Sequence, residues 1–170
     1  MELLARGREA DVFTLDRVSG PTLLDSLASG TTTAAAGGAL LADLHHRLHA
    51  LAPPPGTEPG LVVRHLDLHP GNVMLASSGP VVIDWRNSDV GVAAVDVALS
   101  GLILAEVVCG RGPYAGPARA VLDAYLSTIG PVDEPAAEAA RRYRAADPLV
   151  SEPEKALLST ATTLLRRTRH

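Results

Sequence analysis

Residues 65–84 read HLDLHPGNVMLASSGPVVID, and the pattern predicts a hairpin that carries polar groups to one end. Asn72 opens the run Val73-Met74-Leu75-Ala76, Ser77-Ser78-Gly79 supplies a turn, and Val81-Val82-Ile83 runs back. Antiparallel pairing of these runs returns Asp84 beside Asn72, so that a carboxylate and an amide oxygen meet at one open end. Pro70-Gly71 bends the preceding segment and brings Asp67 near the same point. Hard oxygen ligands suit Mg²⁺, and a neighbouring carboxylate that is off the metal suits a base for a hydroxyl.

Outward from that stretch, 170 residues with 46% hydrophobic and 20% charged content have room for one soluble domain with a substantial core. The net charge of −4, with Arg141, Arg142, Arg144, Arg166, Arg167 and Arg169 set among acids, leaves no electrostatic footprint for nucleic acid. The lone Cys109 excludes an internal disulfide. Residues 1–6 lack the apolar core of a signal peptide, so a cytoplasmic location is expected. Residues 90–109 are long and apolar enough to suggest a membrane span. Asp96 and Glu106 lie inside, however, at about 3 kcal/mol each on insertion scales, so a buried core helix and no membrane partner are expected.

Short strands are expected at Leu3-Leu4 and at residues 11–15, separated at Gly7. Pro21 marks a helix start, with Leu23, Leu24 and Leu27 as its apolar side. Residues 34–51 form a helix with Leu40, Leu41, Leu44, Leu48 and Leu51 on one face, His45 flanking that face and His46 and His49 pointing away. His45 and His49 have metal-ligand spacing, but no H-E-x-x-H pattern or third ligand accompanies them, so they read as packing or surface residues. The proline-rich residues 52–60 form a stiff loop. After Trp85 the chain reads as helical to its end: from Val92, over residues 115–129 and 134–146, and in a last helix with Ser151 and Glu154 as a capping box.

H-x-D-x-x-x-x-N (His65, Asp67, Asn72) followed by I-D-W (Ile83, Asp84, Trp85) resembles the catalytic loop and metal-binding segment of the aminoglycoside phosphotransferases, a branch of the protein-kinase-like fold. Trp85 and His69-Pro70-Gly71 favour this small-molecule branch over the protein kinases. The resemblance implies an α+β, predominantly α fold: a kinase-like C-terminal lobe over residues 17–170 with a catalytic hairpin, and a truncated N-terminal hairpin over residues 1–16. Gly7 would lie in a loop that resembles the nucleotide-covering loop. Between Asp16 and Arg17 the family has three further strands, a helix and a hinge, roughly 50 residues; here there is nothing. The family's ATP-anchoring lysine has no counterpart, since the sole lysine is Lys155.

The same resemblance implies Asp67 as base, Asn72 and Asp84 as ligands of Mg²⁺, and His65 and Asp96 as supports of the site, Asp96 bracing the loop through backbone N–H groups. The reaction implied is transfer of the γ-phosphoryl of ATP or GTP to a hydroxyl of a small-molecule acceptor. Asp67, Asp84, Asp89 and Asp96 are compatible with a cationic acceptor. Two other readings compete. One is a non-catalytic remnant that binds nucleotide or a partner protein; the other is a zinc hydrolase with His65, Asp67 and His69 on one side of an extended segment. Apolar surface left bare by the short upper lobe is expected to be covered by a second copy, giving a homodimer.

Overall fold

The computed structural model describes residues 17–167. The expected strands within residues 3–15, and Gly7 with them, lie outside the described residues. Thr22 caps the first helix in a complete capping box: its hydroxyl accepts from the N–H of Asp25, whose carboxylate takes the N–H of Thr22. Helix α1 (Leu23–Ala28) is followed by α2 (Ala34–His49), capped by Thr33. Leu51 has the period of the α2 face but falls beyond the helix end and is 54% exposed. Four short strands follow: β1 (Val62–Arg64), β2 (Val73–Ala76), β3 (Gly79–Val82) and β4 (Asp89–Gly91). Helices α3 (Ala93–Cys109), α4 (Ala115–Ile129), α5 (Glu134–Ala146) and α6 (Glu152–Arg167) complete the described chain.

Strands β2 and β3 pair antiparallel from Val73↔Val82 to Ala76↔Gly79, closing on Ser77-Ser78. Gly79 joins β3 at φ 118°, a conformation that only glycine adopts without strain. Ile83 falls beyond β3, yet its N–H still bonds to Asn72 O at 3.0 Å, which fixes Asp84 one residue past the open end. The other strand pair corrects an expectation, because the chain after Trp85 is not helical throughout. Strands β1 and β4 pair antiparallel through Val62↔Gly91, Val63↔Val90 and Arg64↔Asp89. Each is three residues long, its partner is remote in sequence, and Val90 merges with the apolar run of α3. Arg64 locks the pair by a bidentate bridge to Asp89, both bonds at 2.8 Å. A Cβ on Gly91 would lie 2.3 Å from the Arg64 guanidinium carbon, so in this position the arginine passes directly over the glycine.

Among the described residues the fold is α+β and mostly helical, with two small antiparallel sheets. Helix α3 runs through the core, packed against α4, α5 and α6, and buries Leu99, Leu102 and Ala105. Its two acids are buried and partnered, Asp96 by the loop and His49, Glu106 by Arg144. Helix α2 packs closely on α4 at Gly38, where a Cβ would stand 2.6 Å from Val121 O and from the Tyr125 nitrogen. No helix among the described residues is long and apolar enough to cross a membrane.

Candidate active site

Asp96, at the start of α3, is fully buried and grips the loop after β1 by its backbone. Its Oδ2 accepts from the N–H of His65 at 3.1 Å and its Oδ1 from that of Leu66 at 2.8 Å. His49 Nε2 lies 2.9 Å from Oδ2 and donates to it. Burial pushes the Asp96 carboxyl up, but His49, His45 and the two N–H groups together outweigh burial and hold it below the usual range. His49 therefore does not point away, as its position on α2 suggests; from the edge of the buried face its ring reaches the carboxylate.

His45, also fully buried, donates from Nδ1 to Leu41 O at 3.2 Å, while Nε2 accepts from Ser100 at 3.4 Å. Burial, only partly offset by Asp96, pulls its pKa down to about 4. At neutral pH the ring is uncharged, so its 3.8 Å approach to Asp96 is not an ion pair.

Leu66 and Asp84 are two of only three non-glycine residues among the described ones with positive φ, at 62° and 60°. Such backbone costs on the order of 1–2 kcal/mol per residue and persists where the surroundings enforce it. Leu66 is held by its buried side chain and by Asp96, and its turn swings Asp67 off an extended path. Asn72, at the end of a 3₁₀ turn over Pro70–Asn72, donates from Nδ2 to Asp67 O at 2.9 Å and to Asp67 Oδ2 at 3.1 Å. Its amide nitrogen is thereby committed to Asp67, which leaves Oδ1 as the atom able to act as a ligand.

Asp84 opens a 3₁₀ turn over Trp85–Asn87 and makes no capping bond there. Its side chain is 40% exposed, with Arg86 Nε at 3.6 Å. His65, fully buried, ties the two halves of the site together: Nε2 donates to Ile83 O at 2.9 Å and Nδ1 accepts from the N–H of Asp67 at 3.2 Å. The edge of its ring meets Trp85 at 4.8 Å between centroids, and Trp85 Nε1 donates to Val82 O at 2.9 Å.

These bonds dismantle the zinc set. The left-handed Leu66 breaks the period-2 spacing, both ring nitrogens of His65 are engaged within the protein, and His69 Nδ1 accepts from the N–H of Gly71 at 3.1 Å. Among the described residues no three His, Cys, Asp or Glu side chains converge as a metal site.

With the loop, the hairpin and the Asp96 brace in place, the comparison with known families is decisive: the model of the phosphotransferase enzyme family matches residues 8–143. The chain belongs to the phosphotransferase enzyme family. No curated protein matches it. For a phosphotransferase, the geometry supplies a carboxylate, Asp67, whose neighbour Asn72 is fixed by it, and a second, accessible carboxylate, Asp84, at the end of the same hairpin.

Sequence reasoning did not find the cavity of about 670 Å³ beside the loop, reached by His69, Pro70 and Gly71 and walled by α1, α3 and α4. Its one sequence signal is Leu24, which has a core-like period on α1 but is 50% exposed.

Proposed function

We propose that the protein transfers the γ-phosphoryl of ATP or GTP to a hydroxyl of a small molecule. Asp67 takes the hydroxyl proton as the acceptor oxygen bonds to phosphorus and the bond to the nucleoside diphosphate breaks. Asn72 Oδ1 and the Asp84 carboxylate would hold Mg²⁺, and their hard oxygens fit it. The ion supplies positive charge against the phosphate oxygens. In this reading residues 17–170 are a kinase-like C-terminal lobe, and residues 1–16, with Gly7, are the remnant of the nucleotide-covering lobe.

The observation that carries the proposal is the Asp67–Asn72 contact. One hydrogen-bonded pair orients the base and occupies the amide nitrogen, leaving the amide oxygen outside that contact, at the end of the hairpin where Asp84 follows. A second reading, nucleotide binding without turnover, is favoured by Lys155: the sole lysine pairs with Glu152 on α6 at 3.1 Å, within its own helix.

The two carboxylates are separable by experiment. Asp67→Asn keeps an acceptor for Asn72 and should leave the Kd for Mg²⁺–nucleotide within about twofold while lowering turnover by about 10²-fold or more. Asp84→Ala should lose Mg²⁺-dependent binding. Equal loss of binding in both variants would overturn the assignment, and wild-type binding without any turnover would select the second reading.

A further inference from the structure

The cavity beside the loop differs in character from the loop itself. We propose that the acceptor is an uncharged, amphipathic alcohol whose apolar body fills this cavity and whose hydroxyl reaches Asp67; this class assignment rests on the phosphotransfer reading above. A volume of about 670 Å³ lies within the range of small-molecule sites. The cavity also adjoins the base, because His69 lines it and His69 Nε2 is 3.8 Å from Asp67 Oδ1.

Three elements each leave a large apolar side chain in water at this one place. Leu24 on α1 is 50% exposed, Val107 on α3 is 43% exposed, and Tyr114 before α4 is 61% exposed. Single exposed apolar residues are ordinary, but three converging on one concavity next to a catalytic loop are not.

Charge in the lining is sparse and mostly paired. Glu106 and Arg144, with side chains 6% and 18% exposed, pair at 3.3 Å. The carboxylate of Glu154 is taken by the N–H and hydroxyl of Ser151. Elsewhere Asp89 is bound to Arg64, and Asp96 is buried against His49 and the loop. A polycation entering the cavity would shed water and meet a single carboxylate without an ion-pair partner, the exposed Glu154, whereas an apolar body loses nothing by entering.

The test uses methyl NMR spectra of the full chain without nucleotide, titrated with octyl glucoside below its micelle concentration and, separately, with kanamycin as a polycationic polyol. Octyl glucoside should shift the methyls of Leu24 and Val107 saturably. It should leave those of Leu51 and Leu149 in place, since these are more exposed but do not line the cavity. Leu24→Glu and Val107→Asp, both at exposed positions where folding tolerates charge, should each weaken that binding about tenfold or more.

The proposal is overturned by equal shifts at Leu51 and Leu149, by no shift at all, by saturable kanamycin binding at Leu24 and Val107, or by shifts with protein concentration that show a second copy in the cavity. Neither nucleotide nor turnover enters the measurement. Its failure would leave the phosphotransfer reading standing, and intact alcohol binding beside failed nucleotide binding would sink that reading instead.

Discussion

At Asp96 two oxygens take three donors, from His65, Leu66 and His49, inside a fully buried pocket. Asp96→Ala strips all three of their acceptor, and an abandoned buried donor costs about 1–3 kcal/mol. The variant should therefore lose about 3 kcal/mol or more of unfolding free energy, read from urea midpoints; an unchanged midpoint would mean that the turn at Leu66 is held by other groups. His45 makes a different prediction. Its ordinary pKa of 6.5 falls to about 4 in the fold, so the unfolded chain takes up a proton near pH 6.5 that the folded chain refuses. The stability present above pH 6.5 is thus lost as pH falls towards 4, by up to about 3 kcal/mol from this residue. His69, lowered mainly by burial, and Asp96, held low by its donors, add to the loss in the same direction as acid is added. His45→Asn keeps a donor near Leu41 O and cannot titrate, so its urea midpoint should vary less steeply between pH 6.5 and 4. Parallel curves for the two proteins would contradict the assignment.

Among the elements, the α2–α4 crossing has little slack. Alanine at Gly38 would gain about 1 kcal/mol of helix propensity, but its Cβ would meet the α4 backbone at 2.6 Å, where overpacking costs about 1–3 kcal/mol. Gly38→Ala should lower the thermal midpoint, and a raised midpoint would show that the helices part freely. The same scale shows what the amino-acid sequence reveals. The hairpin of β2 and β3 was legible because its turn, its alternation and the closing Asp84 are all local. Strands β1 and β4 were not, because three-residue strands carry too little pattern and pair residues 25 to 29 positions apart (89 − 64 and 91 − 62). The meeting of Asp67 and Asn72 was legible from Pro70-Gly71. The left-handed turn at Leu66 was not, since leucine gives no signal for positive φ; it follows from the grip of Asp96, which only the tertiary fold supplies. His49 was misplaced because a helical wheel assigns a direction but not the reach of a ring.

Across the whole molecule, the described helices form a base under a loop and hairpin that gather Asp67, Asn72 and Asp84 at one edge, with the apolar cavity beside them. Nothing in residues 17–167 supplies a lysine to the site, so under the proposed function the nucleotide phosphates are aligned chiefly by the metal ion on Asn72 and Asp84. Nucleotide affinity should then depend on Mg²⁺ more steeply than it would with a phosphate-binding lysine in place. The most direct measurement is calorimetric titration of the full chain with ATP and with GTP, in the presence of Mg²⁺ and again in EDTA. The account predicts saturable binding of at least one nucleotide with Mg²⁺ that vanishes in EDTA and in Asp84→Ala. Binding of equal strength with and without Mg²⁺, or no binding of either nucleotide, would contradict it.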